Sequence, residues 1–170
     1  MKSLVMTILG ADRPGVVESL AKLVKQHDGN WLESRMAHLA GQFAGIVHVE
    51  VAEQKAEALV KMLRELSGTG LTVIVQMDDI ASLATGFAPL TMEIVGNDRP
   101  GIVHEITRVL AEQSVNVEEF TSECGSAAMS GGRIFHATAK LRLPSGTAIA
   151  DVQEAIERIA HDLMVDIRWV

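Results

Sequence analysis

The stretch "GADRPGVVESL" occupies Gly10–Leu20, and "GNDRPGIVHEI" occupies Gly96–Ile106. A Gly-x-Asp-Arg-Pro-Gly turn is therefore written twice, 86 residues apart, in a chain of 170. At that offset Asp12, Arg13, Pro14 and Gly15 fall on Asp98, Arg99, Pro100 and Gly101. The agreement continues past the turn: Val17, Leu20 and Val24 fall on Val103, Ile106 and Leu110, a helical i, i+3, i+7 stripe, and Asn30 falls on Asn116. Two copies of one unit fill the chain. A solenoid needs at least about three stacked repeats, so each copy is expected to carry its own small core.

Each copy reads as the same sequence of elements. In the first, "SLVMTILG" is a buried strand and "PGVVESLAKLVKQH" an amphipathic helix; "NWLESRMAHLAGQ" and "FAGIVHVEVA" are two extended segments. "KAEALVKMLRELSG" follows as a helix, with Ala56, Leu59, Val60 and Leu63 on one stripe and its end at Gly68, and "LTVIVQM" closes the copy as a strand. The second copy repeats this order, with Val152, Ala155, Ile156 and Ile159 turned inward on its last helix. The order βαββαβ predicts an α+β chain of two tandem ferredoxin-like domains, each an antiparallel sheet with helices on one face. The expected boundaries are 1–80 and 89–170, with a linker over 81–88 inside the small and polar segment "DDIASLATGFAP". Pro14 is expected in the first helical turn, with Asp12 or Arg13 as the cap.

The strands "SLVMTILG" and "LTVIVQM" carry apolar side chains on both alternating faces, although helices are expected to cover only one. The uncovered face predicts a pseudo-twofold pair within the chain and a homodimer.

Composition narrows the function. Apolar residues make up 48% and charged residues 22%, so the chain can bury a core. No apolar run approaches the roughly 18 residues of a membrane helix, and the N-terminus has no cleavable-signal pattern. The single cysteine, Cys124, points to a reducing compartment, and a cytoplasmic setting is expected. The six histidines are scattered, so neither a metal nor a cofactor is expected. With 15 basic against 22 acidic residues the chain is net negative, which opposes direct nucleic-acid binding.

The repeated turn has a chemistry suited to a zwitterion. A helix N-terminus presents unpaired N–H groups and favours negative charge, so it can hold a carboxylate; Gly15 and Gly101 let a ligand approach the backbone. Asp12 and Asp98 supply a carboxylate for an ammonium group, and the amides of Asn30 and Asn116 can donate and accept. The same turn is also sufficient as a plain helix start, with Asp capping, Pro pre-set and Gly turning.

The paired Asp-Arg-Pro-Gly turns, "GNWLESRMAHLAGQFAGI" (Gly29–Ile46) and "MSGGRIFHATAKLRLP" (Met129–Pro144) together resemble the ACT domain, an amino-acid-sensing regulatory module, in tandem. Among such proteins the chain resembles the glycine cleavage system transcriptional repressor family. The resemblance implies a non-catalytic regulator that binds a small, glycine-like amino acid and contacts a protein partner such as a DNA-binding activator. Ligands of ACT domains sit at interfaces, between the first strand-to-helix loop of one domain and the second strand of its partner. Carried onto this chain, the ligand-binding residues are Asp12, Gly15, Asn30, Asp98, Gly101 and Asn116, with Arg13 and Arg99 as surface charges. The copies differ at Gly29 and Trp31, which become Val115 and Val117, so the two sites need not be equivalent. Other readings are a pure protein-interaction module, or a regulatory subunit of an amino-acid or one-carbon metabolic enzyme without ligand binding of its own.

Three further features carry weaker signals. "CGSAAMSGGR" reads as a loop, either a lid or a hairpin connection. His48 and Glu50 share a strand face, and Cys124 with His136 lacks a third group to orient it for catalysis.

Overall fold

The computed structural model describes residues 1–78, 89–126 and 132–170. Two compact units divide the chain, Met1–Leu83 and Ala84–Val170. The linker expected over 81–88 lies outside the described residues. The first unit runs β1 (Lys2–Ala11), α1 (Val16–Gln26), β2 (Asn30–Leu39), β3 (Gln42–Val51), α2 (Glu53–Glu65) and β4 (Leu71–Asp78). The second runs β5 (Pro89–Asn97), α3 (Ile102–Glu112), β6 (Asn116–Ser126), β7 (Arg133–Arg142), α4 (Ile149–Leu163) and β8 (Val165–Trp169). Each is βαββαβ, and the chain is a tandem pair of ferredoxin-like α+β domains.

The first sheet has the order β2-β3-β1-β4 and the second β6-β7-β5-β8. All pairings are antiparallel. β2 and β6 are therefore edge strands in equivalent places. Both carry a register shift at the same point of the repeat, between Trp31 and Glu33 and between Val117 and Glu119. A bulge of this kind adds twist and unpairs a residue, a usual feature of sheet edges.

Period-two alternation puts Leu4, Met6 and Ile8 of β1 on the helix-covered face, where they are fully buried with Val47 and Val49 of β3. From α2, Ala56, Leu59, Val60 and Leu63 close over them as the stripe requires. Each fully buried leucine or isoleucine contributes about 1.5–3 kcal/mol relative to exposure. In the second unit Val152 and Ile156 are buried, and Ala155 and Ile159 pack partly buried against the same core.

Three local expectations are corrected. α1 begins at Val16 and α3 at Ile102, each after a glycine in the left-handed region, with no side-chain cap. Pro14 and Pro100 thus lie in the turn, and neither Asp12 nor Arg13 caps. The helices start two residues later than a proline-led start implies, and their inward stripes are Val16, Leu20, Val24 and Ile102, Ile106, Leu110, an i, i+4, i+8 spacing; Val17 and Val103 are exposed. Finally, α2 ends at Glu65 and passes into a 3-10 turn over Leu66–Thr69, with Gly70 taking the left-handed conformation in place of Gly68.

Among the described residues no helix is long and apolar enough to cross a membrane. β6 continues through Cys124 to Ser126, which pairs with Arg133, so the expected loop is shorter than "CGSAAMSGGR"; its remainder, 127–131, lies outside the described residues.

Candidate functional site

The two glycines of the repeated turn do different work. Gly10 lies on β1 opposite Leu71, where a Cβ would stand 2.8 Å from the Gly70 carbonyl oxygen and 2.7 Å from Leu71 Cδ2. Gly96 is equally crowded, with a Cβ falling 2.6 Å from Val165 Cγ1 and 2.7 Å from the Met164 carbonyl oxygen. These positions admit the start of the last strand against the first. Gly15 and Gly101 instead have open space around a virtual Cβ, and what they supply is φ of +88° and +96°. That backbone reverses the chain from strand to helix.

Between them the aspartates anchor the turn to the neighbouring hairpin. The Asp12 N–H donates to the Gly41 carbonyl at 3.0 Å, and the Asp98 N–H donates to the Arg133 carbonyl at 2.8 Å. Their carboxylates face that hairpin as well: Asp12 lies 3.6 Å from His38 Nε2, and Asp98 lies 3.4 Å from Arg133 Nε. A guanidinium is permanently charged, whereas an imidazole is charged only when protonated. The two turns thus differ electrostatically in a way that Asp12 and Asp98 alone do not reveal. No local sequence signal marks His38 or Arg133, because their nearness depends on the β1–β3–β2 register in the first unit and the β5–β7 register in the second.

The helix start itself is regular. Ser19 donates both its backbone N–H, at 2.9 Å, and its hydroxyl, at 2.8 Å, to the Gly15 carbonyl. The N–H groups of Val16, Val17 and Glu18 precede that first intrahelical bond and are the anion-seeking end of α1. Arg99 differs from the surface charge expected of it. Its guanidinium is half-buried and donates to the Asp162 carbonyl at 3.0 Å, in the last turn of α4, where a cation complements the helix dipole.

Asp12 and Gly15 are brought together, as are Asp98 and Gly101. Asn30 and Asn116 are not with them. Asn30 pairs with Glu50, and Glu50 with Ser3, whereas Ala11 pairs with Gln42 and Gln42 with Leu39. Asn30 therefore stands at the opposite end of the sheet from Asp12, about 30 Å away at the rise of a β-strand. Asn116 pairs with Arg142, which pairs with Pro89, and so is as far from Asp98.

A groove of about 310 Å³ runs along the flank of α1 in the first unit. It is lined by Val17 near the helix start and by Lys25, Gly29 and Trp31 near Asn30. Its size is at the lower end of small-ligand sites.

Elsewhere, His48 finds its partners across strands and not at Glu50: Ser3 Oγ lies 2.7 Å from Nε2, and Glu33 lies 3.7 Å from Nδ1. Glu33 stands directly opposite His48 and Ser3 on the diagonal, one pair along, both within reach of a long side chain. Cys124 pairs with Phe135 and His136 with Glu123, so by alternation the thiol and the imidazole lie on opposite faces of the sheet.

The chain belongs to the ACT domain family, whose model matches residues 2–78 and again 89–169. It is 24% identical over 162 residues to the glycine cleavage system transcriptional repressor of Escherichia coli K12, covering 94% of this chain and 85% of that protein. A UPF0237 protein of Methanopyrus kandleri is 33% identical over 85 residues, 47% of this chain and 92% of the relative. Among solved structures, an unknown protein from Galdieria sulphuraria superposes with a TM-score of 0.88 at 26% identity, covering 99% of this chain and 96% of that one.

Proposed function

We propose that the chain is a cytoplasmic, non-catalytic regulator that binds a small glycine-like amino acid and transmits its occupancy to a protein partner, such as a DNA-binding activator, working as a homodimer. The observation that carries the reading is the pairing of a glycine-started helix with an adjacent carboxylate. The first-turn N–H groups after Gly15 suit the ligand carboxylate, and Asp12 suits its ammonium group. The likeness to a glycine cleavage system transcriptional repressor over most of both chains supports the regulatory half.

Because Asn30 and Asp12 sit at opposite ends of one sheet, the proposed site centres on the turn itself, Asp12 with Gly15 and Asp98 with Gly101, and Asn30 and Asn116 do not reach it within their own units. Asp98 is opposed by Arg133, so the first turn is the stronger site for a cationic group.

Titration calorimetry on ligand-stripped protein with glycine, serine and bulkier amino acids tests the sensing half. Saturable heat is expected for the small ones, and silence across the panel overturns it. Affinity capture from a native extract, with and without glycine, tests the partner half: recovery of an enzyme in place of a transcription factor overturns that assignment.

A further inference from the structure

We propose that the open face of the first sheet is the surface through which two copies of this chain pair, sheet against sheet about a twofold axis; this rests on the homodimer reading above and assigns its surface. At the middle of that face Thr7 lies between Ile46 of β3 and Ile74 of β4. The next row places Leu9 between Ala44 and Thr72. Leu9, Ile46 and Ile74 are 49%, 55% and 56% exposed, and none of these six residues is charged.

The second sheet provides a comparison on the same backbone plan. Its corresponding rows are Glu93 between Thr138 and Arg168, and Val95 between His136 and Asp166. That face alternates as a sheet with one solvated side does. The first sheet departs from the rule at matched positions, so the departure belongs to its side chains and not to its fold.

Charge and area select the occupant. An occupant that set charges against Ile46 and Ile74 would lose their hydration and find no partner in these aliphatic side chains. The two central rows are uncharged across β1, β3 and β4, with Arg35 beside Ile46 at the β2 edge and Glu33, Glu50 and Asp78 in the rows beyond, and this apolar centre is complementary to itself, the condition an isologous contact sets. Four strands about 4.8 Å apart and about ten residues long span a footprint of roughly 600 Å², before side-chain relief is added. A stable interface takes about 800 Å² of accessible surface per partner, which a single sheet face reaches only once the relief of its side chains is counted.

The test is sedimentation velocity on the full chain from about 1 to 100 μM, a range bracketing ordinary dimer affinities. Wild-type protein is expected to be dimeric. The double variant Ile46→Glu/Ile74→Glu introduces each charge twice across the axis and is expected to weaken dimerisation by roughly 100-fold or more, with circular dichroism unchanged. Thr138→Glu, at the position matching Ile46, leaves the dimer intact. Should the glutamates prevent folding, Ile46→Thr/Ile74→Arg installs the residues the second unit already carries there, and must also give monomers. A wild-type dimer that survives either folded double variant, or that Thr138→Glu dissociates equally, overturns the surface while leaving the homodimer standing. A monomeric wild type overturns both.

Discussion

The division of labour between the motif glycines makes a quantitative prediction in the second unit, where Gly96 and Gly101 are five positions apart. Alanine at Gly96 places its Cβ 2.6 Å from Val165 Cγ1, 2.7 Å from the Met164 carbonyl oxygen and 2.9 Å from Val165 Cα. Two of those three atoms are backbone, so no rotamer change relieves the contact and the start of β8 must move. Overpacking of a tight site costs about 1–3 kcal/mol, and backbone obstruction puts Gly96→Ala at the upper end. At Gly101 nothing opposes a Cβ within 4 Å, and the only cost is φ of +96°. A non-glycine residue in the left-handed region costs about 1–2 kcal/mol, offset by about 0.4–1 kcal/mol through a less flexible unfolded chain. Gly101→Ala is therefore expected to cost about 1 kcal/mol, and Gly101→Asn less. Trp169, on β8 and packed against the second core, reports unfolding of this unit. Urea titration followed by its fluorescence in a Trp31→Phe background gives the two values separately from the first unit. A Gly101→Ala cost equal to or above that of Gly96→Ala would refute the assignment of close approach to one glycine and backbone conformation to the other.

Asp12→Ala is expected to weaken glycine binding about tenfold or more, the loss of a charge-assisted hydrogen bond, and Asp98→Ala less, because Arg133 already opposes that carboxylate; calorimetry on the two variants compares them. Arg99→Leu removes the donor to the Asp162 carbonyl and should cost about 1 kcal/mol in the second unit alone, read by the same Trp169 titration. The Asp28 carboxyl is held below its ordinary value by the hydrogen bond from Lys55 first and by the lysine charge second. Since the folded pKa is depressed, the contribution is fully present above the ordinary aspartate range and is lost as pH falls through the depressed value. Lys55→Met should flatten this part of the acid limb between about pH 5 and pH 2, measured as urea midpoints against pH.

What the chain disclosed early and what it withheld divide along one physical line. The repeat offset survives folding in detail: it carries the glycines, the helix starts, and even the bulges after Trp31 and Val117 from one unit to the other. Stripes such as Ala56, Leu59, Val60 and Leu63 were legible because helical periodicity is local. α1 starts two residues past Pro14 because proline-first is a statistical preference, whereas Gly15 in the left-handed region ends the turn and leaves Val16 as the first helical residue. Pairing across strands is nonlocal, and every missed feature of the site depends on it. His38 and Arg133 reach the aspartates only through the placement of each unit's hairpin beside β1 or β5, and Ser3 reaches His48 only through register.

Asn30 shows the consequence most clearly. It falls in a matched place in both copies and has suitable chemistry, yet it lies on an edge strand that runs away from the turn. Asp12 and Asn30 of one unit therefore cannot both touch one small ligand. One unit holds the two groups about 30 Å apart, the span of a ten-residue strand, so a matched position and suitable chemistry in the sequence do not by themselves make a shared site.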